Sequence, residues 1–231
     1  MTTALNGSPA SRVAIVTGGS RGVGGATARR LAACGYAVVV DYLHDQRAAE
    51  LTVEAVLADC GDALAVRADV IDDVDVRRLF AETIAAFGGV DAVVHTAGAR
   101  PAAGPVTGAS PEEFDTLIRL STRAAFVVNR EAARHLRNGG AIVNLSTVAD
   151  GPALRTHGLH VAAKAVTSVL TRALALELRD RDIAVNAVAP AADQPCLPER
   201  VTDVIAYLLS DRGHRLSGHI FRVGDATPRS S

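Results

Sequence analysis

Short runs of β-branched residues alternate with longer stretches rich in alanine, leucine and arginine along this chain of 231 residues. The short runs have the length and composition of buried strands, and in the longer stretches the apolar residues recur with helical period. The pattern predicts strands at residues 13–17, 37–41, 63–67, 92–95, 141–145, 183–188 and 220–223. Between them it predicts helices near residues 22–34, 46–58, 73–87, 111–137, 158–179 and 198–210.

Strands that alternate with helices usually pair in parallel, and the crossover helices cover both faces of the sheet. The sequence therefore predicts one α/β domain, a Rossmann-type doubly wound parallel sheet of about seven strands with helices on both faces. In such a fold the ligand lies at the carboxyl ends of the strands. The predicted domain spans residues 12–227, and residues 1–11 and 228–231 are predicted to be disordered tails.

The composition argues against several classes of protein. With 48% hydrophobic residues, the chain has enough apolar material for one large core. Its 24 Lys and Arg residues against 25 Asp and Glu give a formal net charge of −1, so it lacks the cationic field that nucleic acids or anionic membranes need. The expected partner is a small-molecule substrate, with no nucleic acid and no membrane.

The cysteines and the chain start point to a reducing compartment. Cys34, Cys60 and Cys196 are far apart and form no Cys-x-x-Cys pair, which disfavours a disulfide framework and a zinc site. Residues 1–11 lack the apolar core of a signal peptide, and no later apolar run approaches the roughly 18 residues that span a bilayer. The sequence thus predicts a cytoplasmic protein.

The clearest motif follows the first predicted strand and reads Thr17-Gly18-Gly19-Ser20-Arg21-Gly22-Val23-Gly24. Its glycines let the backbone turn tightly and approach a pyrophosphate held at the amino end of the next helix. A lone glycine loop is weak evidence, and a glycine turn without a ligand stays open. The spacing Gly-x-x-x-Gly-x-Gly after threonine resembles the short-chain dehydrogenase/reductase family.

This resemblance extends over nearly the whole chain and suggests a divergent relative of the ketoacyl reductases. Asp69-Val70 resembles the family's adenine contact, Ala97-Gly98 the end of its Asn-Asn-Ala-Gly motif, and residues 185–190 its Asn-x-x-x-Pro-Gly segment. The resemblance implies a dinucleotide cofactor. The residues that it implies for cofactor binding are Gly18, Ser20, Arg21, Gly22, Val23, Gly24, Tyr42, Asp69, Val70, Ala97, Gly98, Lys164 and Pro190.

The choice between NADP(H) and NAD(H) depends on charge at the end of the second strand. By alignment with the family the deciding residue is Tyr42, and Arg21 stands where NADP-preferring relatives often carry a basic residue. His44 and Arg47 add positive charge nearby. The resemblance therefore favours NADP(H). NAD(H) stays open, because Arg21 could be a solvated loop charge while Asp41 points at the ribose.

The family's catalytic residues are altered in this chain. In active relatives a serine orients the carbonyl, a tyrosine exchanges the proton, a lysine lowers that tyrosine's pKa and holds the ribose, and an asparagine anchors a relay water. By resemblance Thr147 takes the serine position and His160 the tyrosine position, with Lys164 one helical turn beyond. Ser121 takes the asparagine position, and Asn129 lies about two turns away.

His160 is a candidate substitute for the missing tyrosine. Imidazole is the commonest general acid or base, but the nearby Lys164 ammonium disfavours imidazolium, so a neutral His160 ring is expected at pH 7. A catalytic role and a packing role for His160 both stay open. His157 could share the mouth of the site, yet no nearby cysteine or carboxylate completes a His-x-x-His metal site, so no metal is predicted.

The loop after Pro190 also departs from the family's pattern. Relatives follow Pro-Gly with a threonine that touches the nicotinamide and with a helical lid, whereas here residues 191–197 lead almost directly into the helix at 198–210. The resemblance implies a deleted lid and a shallower, wetter cleft. Residues 104–108 could supply some cover or could be a surface connector.

An apolar stripe on the helix at 158–179 bears on assembly. In the family this helix and the preceding one pack against a second subunit, which implies a homodimer or homotetramer, although the stripe could face the sheet instead. The residues of the stripe are Val161, Ala165, Val169, Leu170 and Leu174.

Three functions stay open at this point. The first is an NADP-dependent short-chain oxidoreductase that transfers hydride to a carbonyl or from an alcohol. The second is a non-redox dehydratase, cyclase or isomerase with His160 as the base. The third is a catalytically silent cofactor-binding or partner subunit. The complete glycine loop and Lys164 favour the first.

Overall fold

The computed structural model of the protein describes residues 12–98, 104–148, 152–191 and 198–224. The strands in this part are β1 (Arg12–Thr17), β2 (Tyr36–Tyr42), β3 (Ala63–Arg67), β4 (Val90–His95), β5 (Leu136–Leu145), β6 (Ala184–Pro190) and β7 (Ile220–Val223). The helices are α1 (Gly22–Ala33), α2 (Gln46–Ala58), α3 (Asp73–Phe87), α4 (Pro111–Leu117), α5 (Ala124–His135), α6 (Pro152–Glu177) and α7 (Pro198–Leu208). Both predicted tails, and residues 192–197 of the loop after β6, lie outside the described residues.

The strands form one parallel sheet in the order β3-β2-β1-β4-β5-β6-β7, which confirms the predicted doubly wound fold. The order reverses between β1 and β4, and the carboxyl ends of these two strands meet where Thr17 pairs with His95. Ligands of open α/β sheets bind in the crevice at such a reversal. The fold therefore places the candidate site above Thr17 and His95.

Two apolar cores cover the two faces of the sheet. On β1, Ala14 and Val16 point into the core formed with α1, α2 and α7, whereas Ile15 points into the core formed with α3, α5 and α6. Because both faces are covered, the strands are apolar at consecutive positions instead of alternating with polar residues. This burial explains why the strand positions could be predicted from the sequence.

The prediction of one continuous α-helix at 111–137 is wrong. The chain forms α4, then a π-helical segment at Ile118–Arg123, and then α5. A π-helical turn holds more residues than an α-helical turn and needs no proline or glycine, so helical periodicity alone does not reveal it. The segment matters because Ser121 lies inside it.

Two predicted boundaries are also wrong. β5 begins at Leu136, before the predicted strand at 141–145, and Gly139 within it has φ +77. The residues from Arg137 to Gly139 are exposed and polar or small, so this part lacks the apolar signal of a strand. The helix predicted at 158–179 is α6, which already begins at Pro152, because proline is favoured in the first turn of a helix.

Helix α6 contradicts the expectation that no apolar run approaches the length that spans a bilayer. An 18-residue window within its segment Ala153–Glu177 has a mean hydropathy of 1.3, so this segment is long and apolar enough to cross a membrane by length and composition. One such helix is weak evidence for a membrane span, because the core helix of a globular fold can meet the same criteria. Here Ala163 and Thr171 are buried, and Leu174 belongs to the core beneath the sheet.

The outer side of α6 exposes apolar side chains. Val169 is 65% exposed and Leu176 is 75% exposed, while Phe126 on α5 is 45% exposed. The predicted stripe therefore divides, since Leu174 faces the core and Val169 faces solvent. The exposed side chains fit a contact with a second subunit, and the homodimer or homotetramer stays a prediction.

Candidate active site

The loop between β1 and α1 adopts a shape that requires glycine. Gly18 has φ +64 and Gly22 has φ +58, both in the left-handed region. A Cβ added at Gly24 would lie 2.7 Å from Thr96 Oγ1 and closer still to the Gly18 carbonyl oxygen. A Cβ added at Gly22 would meet nothing within 4 Å among the described residues, so the outer side of the loop is free for a ligand.

The amino end of α1 has no internal cap. Arg21 occupies the N-cap position without a side-chain hydrogen bond, and the first turn contains no acidic residue. The side chains of Asp45, Asp72 and Ser110, in contrast, cap α2, α3 and α4. Free amide hydrogens at a helix amino end bind phosphate groups. The residues of this end that fit a dinucleotide pyrophosphate are Ser20, Gly22, Val23 and Gly24.

At the end of β2, Asp41 is turned inward. Asp41 is 2% exposed, and its Oδ2 accepts a hydrogen bond from the Gly18 N–H at 3.2 Å. Tyr42, the last residue of β2, is half-buried. The alternative in which Asp41 points at the ribose is therefore wrong, because this carboxylate lies beneath the loop. Tyr42 is the side chain at this strand end that remains accessible to a cofactor.

The cations near β2 differ in their partners. Arg21 Nη1 lies 3.2 Å from Asp45 Oδ2, with both side chains more than a third exposed. Arg47 is held by α2, where its Nη1 donates to Glu54 Oε1 at 2.8 Å. Arg67, which was not predicted from the sequence, donates from Nε to the Leu43 carbonyl at 3.0 Å. Arg21 and Arg67 are therefore the guanidinium groups adjacent to the end of β2.

Asp69 and Val70 lie just beyond β3 and are half-buried. Asp69 Oδ1 accepts the Ile71 N–H at 3.2 Å, and the Asp69 N–H donates to Asp75 Oδ2 at 2.9 Å. These hydrogen bonds fix the turn at the carboxyl end of β3, beside β2. The turn thus lies at the carboxyl ends of the strands, as the glycine loop does. Its contact with adenine stays a prediction.

Lys164, the only lysine in the chain, is a buried cation at the strand ends. It is 5% exposed, and its Nζ donates to the Leu145 carbonyl at 3.0 Å. A Cβ added at Gly98 would lie 2.9 Å from Nζ, so Gly98 leaves the space that the ammonium occupies. Burial lowers the pKa of Lys164 to about 8. An ammonium has three N–H donors, so Lys164 can also bind a ligand.

His160 lies one helical turn before Lys164 and is 4% exposed. Its Nδ1 is buried and has no hydrogen-bond partner among the described residues. Burial, and then the charges of Lys164 and His157, lower the pKa of His160 to about 4. The ring is therefore neutral at pH 7, as expected, although burial is a larger cause than Lys164. A neutral imidazole accepts a proton or donates a hydrogen bond but is a weak proton donor at this pH.

His157 lies in α6, about one helical turn before His160. Its Nδ1 is 2.9 Å from Thr156 Oγ1, so the ring already has a neighbour within its own turn. Among the described residues no three His, Cys, Asp or Glu side chains are grouped as metal ligands.

Thr147 connects the ends of β5 and β6. Its Oγ1 donates to the Pro190 carbonyl at 3.1 Å, and the side chain is half-buried. The adjacent Ser146 is buried and lies 3.4 Å from Ser168 Oγ. Thr147 is thus the more accessible hydroxyl at this strand end, and it must leave Pro190 to donate to a substrate.

The π-helical segment brings the Leu120 carbonyl towards Lys164. The Leu120 oxygen would lie 3.8 Å from a Cβ at Gly98, and Lys164 Nζ borders the same point. Ser121 Oγ is buried and has no partner within the described residues. Asn129, in contrast, exchanges two hydrogen bonds of 2.8 Å and 3.0 Å with Asn144. Asn129 is therefore a buried structural residue and is not the relay anchor.

Comparison with known proteins establishes the family. Residues 18–195, more than half of the chain, match the family model described as enoyl-(acyl carrier protein) reductase. Versicolorin reductase 1 of Aspergillus parasiticus is 41% identical over 182 residues, which cover 78% of this chain and 69% of the relative. The chain belongs to the short-chain dehydrogenase/reductase family.

Other members of this family support the assignment. The hydroxynaphthalene reductase-like protein Arp2 of Metarhizium majus is 38% identical over 182 residues, covering 78% of this chain and 68% of the relative. A short-chain dehydrogenase of Burkholderia cenocepacia J2315, solved in complex with NADP, is 32% identical with a TM-score of 0.83. That match covers 92% of this chain and 96% of the solved chain, so the two proteins share nearly the whole fold.

His95 is a residue of this short-chain dehydrogenase/reductase site that the sequence prediction missed. It ends β4, is 1% exposed, and its Nδ1 lies 2.8 Å from Thr17 Oγ1. Its Nε2 is buried without a partner among the described residues. Burial, and then the charge of Lys164, lower the pKa of His95 to about 3. The available signal was a histidine at the end of an apolar strand, at the first position of the four-residue family motif that ends in Ala97-Gly98.

Proposed function

We propose that this protein is an NADP(H)-dependent reductase that transfers hydride between a nicotinamide and the carbonyl or alcohol of a small molecule. The observation that carries the proposal is the uncapped amino end of α1, which follows directly on the glycine loop. Lys164 lies at the carboxyl ends of the same sheet, beside Gly98. The relatives named as reductases support the same reaction class.

The charges around β2 support NADP(H) over NAD(H). A carboxylate that pairs with the ribose hydroxyls would favour NAD(H), but Asp41 is 2% exposed and bonded to the Gly18 N–H. Arg67, which pairs with Tyr42 in the sheet, and Arg21, which lies beside Asp45 just after β2, instead offer exposed guanidinium groups. A guanidinium suits a 2′-phosphate, because it forms charge-assisted hydrogen bonds to phosphate oxygens. The solved relative that contains NADP agrees with this preference.

The residues of the chain position the reactants in this proposal. When bound, the cofactor would supply or accept the hydride. Lys164 Nζ would donate a hydrogen bond to the nicotinamide ribose while it keeps its bond to the Leu145 carbonyl. Thr147 Oγ1 would exchange the Pro190 carbonyl for the substrate oxygen. Each group would thereby hold one reactant at the end of β5.

His160 would hold the substrate oxygen and would be a weak source of the proton. With a pKa of about 4, the ring carries very little imidazolium at pH 7. General acid assistance is typically worth about 10²–10⁴-fold in rate, so the proposed reaction is slow compared with that of a tyrosine enzyme. In this proposal water supplies the proton and His160 orients the acceptor.

We also propose a fused-ring phenolic ketone as the substrate class. Hydroxynaphthalene, in the name of one relative, is a hydroxylated aromatic compound with two fused rings. β6 ends at Pro190 and α7 begins at Pro198, so the connection between them is too short for the helical lid of the family. A large flat ring system would exclude water from the reacting carbonyl without such a lid.

A second candidate is a non-redox reaction with His160 as general base. The neutral state of His160 at pH 7 supports it, because an unprotonated imidazole nitrogen can accept a proton, but a pKa of about 4 makes the ring a weak base. In that reaction substrate would be converted without consumption of NADPH. The two candidates are therefore separated by whether hydride leaves the cofactor.

Calorimetric titration with NADPH and NADH tests the cofactor proposal. We expect a micromolar dissociation constant for NADPH and weaker binding of NADH. Gly24→Ala should weaken NADPH binding by about 10–100-fold, because overpacking typically costs 1–3 kcal/mol and the added Cβ would displace the loop. Gly25→Ala is the matched control on the same helix, since its Cβ would meet nothing closer than 3.4 Å.

Two results would contradict the proposal. If the wild type does not bind NADPH at millimolar concentration, NADPH is not its cofactor. If the Gly24 and Gly25 variants bind NADPH with equal affinity, the cofactor does not bind at this loop. Circular dichroism of both variants checks that they remain folded.

A further inference from the structure

Asp41 contacts the glycine loop between β1 and α1, called the cofactor loop below, at two consecutive amides, those of Gly18 and Gly19. Its side chain accepts the Gly18 N–H through Oδ2 at 3.2 Å, and its backbone carbonyl accepts the Gly19 N–H at 2.9 Å. These bonds hold the first turn of the loop, in which Gly18 has φ +64. The carboxyl group of Asp41 is therefore directly connected to the backbone that would meet the dinucleotide.

The two carboxyl oxygens of Asp41 have different surroundings. Oδ2 is occupied by the Gly18 N–H, whereas Oδ1 is buried without a hydrogen-bond partner among the described residues. A buried carboxylate oxygen without a donor strongly disfavours the charged form. Oδ1 can take a proton while Oδ2 keeps its bond to Gly18. The geometry thus allows a neutral Asp41 that still holds the loop.

The charges that face Asp41 also disfavour its ionised form. Asp69, beyond β3, and Asp75, on α3, both place carboxylates near it. Asp75 is bonded to Arg78, which partly compensates its charge. Burial is the largest cause that raises the pKa of Asp41, to about 7, and the amide hydrogens of Gly18 and Ala68 oppose this rise. Asp41 therefore changes its charge in the neutral pH range.

We propose that Asp41 is a positioning residue of the cofactor loop that takes up a proton on Oδ1 when a dinucleotide binds, so that cofactor affinity rises as pH falls. This inference rests on the proposed cofactor function. The proton comes from solvent and no covalent bond of the cofactor changes. The diphosphate would lie at the amino end of α1, which follows the loop that Asp41 supports.

The sign of the effect follows from charge repulsion. A diphosphate at this loop disfavours the ionised carboxylate, so its binding shifts Asp41 towards the neutral form. Affinity is then highest below the pKa of free Asp41 and is lost as pH rises through about 7. At an effective dielectric constant near 20, this repulsion corresponds to a loss of about tenfold in dinucleotide affinity as the pH rises from 6 to 8.5.

Asp41→Asn is the matched variant, because asparagine has the shape of the neutral acid and still offers an oxygen to Gly18. The experiment is calorimetric titration with NADPH from pH 6 to pH 8.5, in pairs of buffers with different ionisation enthalpies. The 2′-phosphate and Lys164 titrate in both proteins, so the difference between them isolates Asp41. We expect the wild type to take up more protons near pH 7.5 than the variant does. We also expect the wild type to lose about tenfold more affinity across this range.

Equal proton uptake and equal pH dependence in the two proteins would overturn the inference. A loss of affinity in Asp41→Asn that is the same at every pH would also overturn it, because that result indicates a structural role alone. If the wild type binds NADPH at no pH, the proposed cofactor function fails instead.

A measurement on the wild type alone avoids reliance on the folding of the variant. The infrared difference spectrum on addition of NADPH at pH 7.5 should show a new carbonyl stretch of a protonated carboxyl group. Absence of this band from a protein that binds NADPH would contradict proton uptake by Asp41.

Discussion

Replacing His160 by tyrosine is expected to raise the rate of ketone reduction by about 10²–10⁴-fold, the usual worth of general acid assistance. The His160 ring is neutral at pH 7, since burial and the charges of Lys164 and His157 lower its pKa to about 4. A phenol at this position would lie near the Lys164 ammonium, which favours the phenolate and brings the phenol's pKa closer to neutrality. Steady-state NADPH oxidation with a panel of aromatic ketones measures the change.

His160→Phe is the control for the shape of the ring. Phenylalanine resembles tyrosine but has no proton to give, so this variant should remain as slow as the wild type or slower. If His160→Tyr is no faster than His160→Phe, then position 160 does not contact the reacting oxygen. The proposed role of His160 would then be wrong.

Replacing Lys164 by methionine is expected to lower kcat/KM for ketone reduction by about 10³-fold. A hydrogen bond from a charged group is worth about 1.5–3 kcal/mol, and loss of a preorganised donor costs about 10²–10³ in kcat. The melting temperature should not fall in proportion, because burial of this ammonium is itself unfavourable and lowers its pKa to about 8. Kinetics and thermal unfolding of the same samples separate the two effects.

The chain offers a direct check on this lysine. Since Lys164 is the only lysine, selective ¹⁵N labelling gives one side-chain ammonium signal. Its titration should have a midpoint near pH 8 in the free protein. A midpoint near the ordinary lysine value, or unchanged NADPH affinity in Lys164→Met, would show that the ammonium is not buried at the cofactor site.

The fold could be predicted because local patterns determine it. Strands buried on both faces are apolar at consecutive positions, and the glycine loop after β1 places the crevice at the carboxyl ends of the strands. The π-helical segment at Ile118–Arg123 could not be predicted in this way, because nothing in its composition distinguishes it from an α-helix.

The site was less predictable, because its geometry depends on contacts between distant segments. Asp41 faces inward because its Oδ2 accepts the N–H of Gly18, which lies 23 positions away in sequence. Asn129 is unavailable as a relay because it pairs with Asn144 across the core. His95 belongs to the site because β4 lies next to β1, which brings it to Thr17. None of these partners follows from spacing along the chain.

The most direct test of the central claim is the transfer of deuterium from NADPH labelled at C4 of the nicotinamide to a fused-ring phenolic ketone. Both C4 stereoisomers are used with the wild-type protein, and the product is analysed by mass spectrometry. Hydride transfer predicts that one of the two isomers places a single deuterium in the alcohol product. A protein that binds NADPH but converts the ketone without deuterium from either isomer would contradict the account.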